Sequence, residues 1–96
     1  MTPIRWSPQA VRDVEAIRDY IAQDSPRYAQ LTVDRIITSV ERLRAFPHSG
    51  RVVPERADPE IREVIVGPFR VVYRYRSGVV DIATVFRASR LFPTIQ

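Results

Sequence analysis

Apolar and polar positions alternate along this chain with two different periods. Val11, Val14, Ile17 and Ile21 recur at helical spacing, with Arg12, Asp13, Glu15, Arg18 and Asp19 on the other faces. Ser7-Pro8 stands just before this stripe. Ser as N-cap and Pro at the first helical position start a helix, which is predicted from Pro8 to about Gln23. Ser25-Pro26 repeats the signal. Ala29, Val33, Ile36, Val40 and Leu43 form the second stripe, flanked by Ile37. Phe46-Pro47 ends that helix, because a residue before proline resists the helical region. Neither start carries the Glu or Gln that completes a capping box. Only Asp24 and Ser25 separate the two stripes, so the helices form a hairpin.

The period changes in the second half. Ile61 to Val66, Phe69 to Arg76 and Val79 to Phe86 read as strands, split by tight turns at Gly67-Pro68 and Ser77-Gly78. Ile4-Arg5-Trp6 reads as a first strand and Arg51-Val52-Val53 as a brief extended segment. Pro47 to Gly50 and Pro54 to Pro59 read as loops.

A two-residue turn at Ser77-Gly78 sets a register. Tyr75 faces Val80, Tyr73 faces Ile82, Val71 faces Thr84 and Phe69 faces Phe86, all on one mostly apolar face. The other face holds Arg76, Arg74 opposite Asp81, Val72 opposite Ala83 and Arg70 opposite Val85. Continuing through Gly67-Pro68 adds Val64 and Val66 to the apolar face. The helical hairpin has the stripe to cover it. The expectation is an α+β fold, with two helices on a small antiparallel sheet in one domain spanning 1–96.

Composition narrows the chemistry. With no cysteine, disulfides, iron–sulfur clusters and thiolate zinc sites are excluded. His48 is the sole histidine, in a Pro/Gly loop, so no metal site is expected, and a surface role is preferred to acid–base work. No run approaches a membrane span and Met1 to Ser7 lacks a targeting pattern, so a cytoplasmic protein is expected. Net charge is +4, and all 15 basic residues are arginine. GC-rich codon usage is the simpler reason; the functional one is bidentate recognition of phosphate or carboxylate. Without lysine there is no low-pKa amine base. A basic surface suits an acidic protein or a nucleic acid.

Element order and wording together resemble the RelE/ParE toxins of type II toxin–antitoxin systems. The resemblance rests on Ile4-Arg5-Trp6-Ser7-Pro8, on Phe46-Pro47-His48-Ser49-Gly50-Arg51 with Val53-Pro54-Glu55, and on Ile61-Arg62-Glu63. Gly67-Pro68-Phe69-Arg70-Val71-Val72-Tyr73-Arg74 is the most diagnostic stretch. The resemblance covers essentially the whole chain.

It implies a growth-arresting toxin neutralised by a cognate antitoxin, in a toxin–antitoxin hetero-oligomer. RelE-like and YoeB-like members cut messenger RNA on the ribosome. ParE-like members share the fold and poison DNA gyrase. In the nuclease branch a Glu in the Pro-Glu loop and an Arg before the Val-Tyr run are functional, and these match Glu55 and Arg70. Nucleases often carry His or Tyr at the end of the last strand. Here the segment is Phe86-Arg87-Ala88-Ser89-Arg90. That departure points to the ParE-like branch: a toxin with a ParD-like antitoxin, DNA gyrase as target and no cofactor. The alternatives are a ribosome-dependent endoribonuclease and a target-less relic that still binds its antitoxin.

Each candidate has a plainer reading beside it. Glu55 is a general base for a ribose 2′-hydroxyl or, as preferred, a solvated loop carboxylate near Arg56. Arg70, Arg87 and Arg90 form a contact surface for target or antitoxin, or line a solvated sheet face. For Arg70 the two readings are even, since Val85 opposite it supplies no carboxylate. Arg74 is expected to pair with Asp81. Phe69, Tyr73, Tyr75 and Phe86 are expected in the core rather than stacked on bases, and Trp6 in core or interface. The tail at Leu91-Phe92-Pro93 either folds back on the sheet or is a partner contact; the sequence leaves both open.

Overall fold

A computed structural model describes residues 1–95. Strand β1 (Ile4–Trp6) leads into helices α1 (Pro8–Ala22) and α2 (Pro26–Glu41), and a 3₁₀ turn follows at Arg42–Arg44. Strands β2 (Arg51–Val52), β3 (Ile61–Val66), β4 (Phe69–Arg76) and β5 (Val79–Arg87) complete the chain. Both predicted caps form: Ser7 Oγ accepts from Ala10 N at 3.0 Å and Ser25 Oγ accepts from Tyr28 N at 3.1 Å.

The sheet runs in the order β1-β5-β4-β3-β2. It is mixed, where a wholly antiparallel sheet was expected. β1 lies parallel to β5, with Ile4, Arg5 and Trp6 beside Val80, Asp81 and Ile82. The other pairs are antiparallel. The helical hairpin carries the chain back over the sheet, so the first strand and the last become neighbours. A three-residue strand contains no signal of its direction.

The helices cover one face. Ala10, Ile36, Val40 and Leu43 meet Val66, Phe69, Val71, Tyr73, Val80, Ile82 and Val85 there. Burying each such large side chain contributes about 1.5–3 kcal/mol. On α1 the buried position is Ala10, while Val11 is 43% exposed, so the stripe begins one residue earlier than its largest side chains suggest. A small residue lets the helix approach the sheet. On α2 Thr32 is buried, and Val33 is only partly so.

The β4–β5 register holds as expected near the turn and fails beyond it. Tyr75 pairs with Val80, Arg74 with Asp81 and Tyr73 with Ile82. Val72 then pairs with Thr84, so a bulge takes up Ala83. From there every expected pair shifts: Val71 meets Val85, Arg70 meets Phe86 and Phe69 meets Arg87. Val85 thereby joins the core under the helices, and Phe86 moves to the opposite face beside Val53, Ile61 and Val72. The expected Phe69–Phe86 pair is therefore corrected.

Side chains from the start of α1 hold the bulge. Ser7 Oγ donates to the Ala83 carbonyl at 2.9 Å. Asp13 Oδ2 accepts from Thr84 Oγ1 at 2.6 Å and from the Val85 N–H at 3.0 Å. These groups would otherwise lack partners at the point where the ladder breaks.

Candidate functional site

The face away from the helices carries a charged cluster built on β3 and β4. Alternation places Ile61 and Glu63 of β3 on this face, with Arg70 and Val72 of β4 beside them. Glu63 is 1% exposed and Arg70 is 7% exposed, so neither is solvated. Arg70 Nε donates to Glu63 Oε1 at 2.6 Å, and Arg51 Nε donates to Glu63 Oε2 at 2.6 Å. Arg70 Nη1 and Nη2 donate to the two oxygens of Glu55 at 2.8 and 2.7 Å. A planar guanidinium thus binds one carboxylate through its fork and a second through Nε, which an ammonium cannot do.

Aromatic rings close over this cation. The Arg70 guanidinium lies 5.2 Å from the Phe86 ring and 5.3 Å from the Phe92 ring. Phe86 and Phe92 meet edge to face at 5.6 Å. Of the two readings of the tail, folding back holds for Phe92 and Ile95, which pack on this second cluster, while Leu91 is 94% exposed. Gln96 lies outside the described residues.

The electrostatics follow from these contacts. Hydrogen bonds from Arg70 hold the Glu55 carboxyl down at about 2. Donating to Glu55 lifts the Arg70 guanidinium, and donating to Glu63 adds to the effect. Glu55 is an exposed loop carboxylate, as preferred from sequence, but the arginine it pairs with is Arg70 and not the expected neighbour Arg56. Arg70 does have carboxylates to explain it, from the preceding strand and loop instead of from β5.

The loop between α2 and β2 is pinned to the same part of the sheet. The Tyr73 hydroxyl accepts from Gly50 N at 3.0 Å and donates to the Pro47 carbonyl at 2.8 Å. Burial pushes this phenol up. A Cβ on Gly50 would sit 2.6 Å from the Tyr73 hydroxyl and 2.7 Å from the Glu63 carbonyl, so only glycine fits. Arg62 Nη1 donates to the Gly50 carbonyl at 2.9 Å. His48 meets Tyr75 edge to face at 4.8 Å and is exposed.

The remaining arginines are distributed differently from the expected surface. Arg87 ends β5 on the helix side, its guanidinium 5.2 Å from the Phe69 ring. Arg90 is exposed in the turn that follows. Arg70 lies on the other face, so the three are not assembled on one face. Asp81 is taken by Arg5, at 2.8 Å, and not by Arg74 as expected. Glu63 was given no role by sequence reasoning. The signal was present, since a Gly67-Pro68 turn carried back to Glu63 places it diagonally across from Arg70.

Two further features bear on function. A groove of about 660 Å³ runs between α1 and the end of β5, walled by Ala16, Ile17, Tyr20, Arg87, Arg90 and Leu91 among others. No helix among the described residues is long and apolar enough to cross a membrane.

Known proteins resemble this chain. A toxin named RelE2 from Caulobacter vibrioides is 37% identical over 92 residues, spanning 95% of this chain and all of that protein. A putative toxin, Y4kP, from Sinorhizobium fredii is 37% identical over 93 residues, spanning 96% of this chain and 94% of that one. A solved structure described as the chromosomal ParDE toxin–antitoxin system from P. aeruginosa superposes with a TM-score of 0.75 at 26% identity. It covers 91% of this chain and 96% of that chain. The family described as the ParE toxin of the type II toxin–antitoxin system parDE matches residues 4–92. With that match over nearly its whole length, the chain belongs to the ParE toxin family of type II toxin–antitoxin systems.

Proposed function

We propose that this toxin arrests growth in the cytoplasm by acting on DNA gyrase, and that a ParD-like antitoxin holds it inactive. The observation that carries the choice of branch is the ion pair between Glu55 and Arg70. These are the positions that the resemblance associates with messenger cleavage, and here each occupies the other. A general base works best with a pKa near the working pH. A carboxyl held at about 2 is a weak one. Arg70 is buried under Phe86 and Phe92, and its Nε, Nη1 and Nη2 are taken by Glu63 and Glu55. The segment after β5, Ala88-Ser89-Arg90, offers no His, Tyr or Lys as an acid. Acid–base help of this kind is typically worth about 10²–10⁴ in rate, and its loss favours a non-nuclease mode of action.

On this reading Arg87 and Arg90 present the target surface, and Arg70 maintains the fold beneath it. Induced expression tests the proposal, with DNA breaks and messenger cuts scored in the same cells. The expected result is DNA damage without codon-positioned cuts. Toxicity is expected to persist in Glu55→Ala and to fall in Arg87→Glu and Arg90→Glu. Abundant codon-positioned cuts that vanish in Glu55→Ala would replace gyrase with ribosome-bound messenger as the target.

A further inference from the structure

The sheet face away from the helices carries arginines that nothing in the chain neutralises. Ile4, Trp6, Tyr73 and Tyr75 pack toward the helices, so Arg5, Arg74 and Arg76 stand on the opposite face. Arg51 and Arg70 join them through Glu63, and Arg56 through the Phe92 ring. The carboxylates here are already engaged. Glu63 and Glu55 hold Arg51 and Arg70, and Asp81 holds Arg5. Asp58, in the same loop as Glu55, accepts from the Glu60 N–H at 2.9 Å. Arg56, Arg74 and Arg76 enter no ion pair among the described residues.

The rest of the face selects among partners for that charge. A protein interface is built around an apolar centre from which charge is depleted. Here the apolar residues Val53, Ile61, Val72 and Phe86 are buried, with Phe92 and Ile95 packed on them, and charge surrounds them instead. A single nucleic-acid strand is held by stacking its bases on open aromatic rings. Phe86 is 8% exposed, and the Phe86 and Phe92 rings are engaged by Arg70, by Arg56 and by each other. No stacking platform is left. What the face does offer is planar guanidinium groups, which bind phosphate oxygens in pairs.

We infer that this face binds the phosphate backbone of duplex DNA without reading its sequence, through Arg56, Arg74 and Arg76. The Glu55–Arg70–Glu63–Arg51 network is the support beneath them: it holds the loop that carries Arg56 against the sheet. Arg74 and Arg76 are two residues apart on β4, so their side chains leave one face about 6.8 Å apart along the strand. The inference goes beyond the gyrase reading and does not need it. Arg87 stands on the helix side of the sheet, so a DNA-bound target could meet Arg87 while its DNA meets the opposite face.

The test is fluorescence anisotropy of the free chain with a short labelled DNA duplex, between about 50 and 200 mM salt. Three phosphate contacts predict a slope of log K against log salt of about −2.7, equal for two duplexes of unrelated sequence. Arg74→Gln with Arg76→Gln is expected to weaken binding by about 10-fold or more and to flatten the slope to about −0.9. Arg76→Gln alone, at the exposed end of β4, leaves the packing untouched and is expected to reduce the slope by about 0.9. Arg12→Gln removes the same charge from the exposed side of α1 and is expected to change affinity by less than about 2-fold. An equal loss in Arg12→Gln overturns the face, since diffuse charge then accounts for the binding. Tighter binding to the single strand, or equal competition by polyglutamate, replaces duplex DNA with a single strand or an acidic protein and overturns the inference. So does an absence of duplex binding up to about 100 μM in the lowest salt. None of these outcomes bears on whether gyrase is the target.

Discussion

The Arg70 guanidinium donates to both oxygens of Glu55 while its Nε donates to the buried Glu63, so one cation serves two carboxylates from a loop and a neighbouring strand. Glu63 in turn takes a second bond from Arg51. The network ties the loop before β3 to the middle of the sheet. Its energetics depend on completeness, because Glu63 and Arg70 are buried at the expense of their hydration.

Removing one member is therefore expected to cost more than removing two. Arg70→Met leaves the Glu63 carboxylate buried with Arg51 alone, and a loss of about 3–5 kcal/mol is expected. The double variant Arg70→Met with Glu63→Leu is expected to recover part of that loss. Urea unfolding of the wild type, both single variants and the double variant measures it. Strictly additive losses would contradict the coupling.

Acid sensitivity follows from Glu55. Its folded pKa is depressed to about 2 from an ordinary 4.5. The sign is that of a carboxylate stabilised in the folded state, so its contribution is present above about 4.5 and lost as the pH falls toward 2. Glu55→Gln is expected to be less stable than wild type at pH 6, with the gap closing by about pH 2. Denaturant midpoints of both proteins across that range check it. A pH-independent gap would mean that the ion pair is not the source.

Gly50 and Tyr73 make a second dependence. Gly50→Ala forces a Cβ into the Tyr73 hydroxyl and the Glu63 carbonyl, and displacement of the loop is expected. Tyr73→Phe keeps the packing but orphans the Gly50 N–H and the Pro47 carbonyl, at about 1–3 kcal/mol. Thermal unfolding of the two variants is the measurement. A Tyr73→Phe protein as stable as wild type would show that water replaces both bonds without cost.

The bulge is expected to depend on α1. Asp13→Ala leaves the Val85 N–H and the Thr84 hydroxyl without their acceptor, at about 1–3 kcal/mol. Ile82→Ala, in the fully buried core beside the bulge, is expected to cost about 2–5 kcal/mol. Asp81→Ala, which breaks only the exposed pair with Arg5, is expected to cost at most about 1 kcal/mol. This ranking, read from denaturant unfolding, fails if Asp81 matters more than Asp13.

The two helices, their caps, the three long strands, both hairpin turns and the helix-facing side of β3 and β4 were all legible in the chain. Each is set by local rules: apolar period, Ser-Pro starts and two-residue turns act within a few residues of one another. Ala83 shows where local rules stop. Nothing in Asp81 to Val85 marks an extra residue, because Ser7 and Asp13, which stabilise it, lie 76 and 72 positions from the backbone groups they bind. The direction of β1 was likewise decided by where the helical hairpin returned the chain. The Glu55–Arg70–Glu63–Arg51 network needed tertiary structure for the same reason. A charge at a strand position is compatible with solvent or with a buried partner, and only the packing of loop, sheet and Phe92 over one another removes the water and selects the partner.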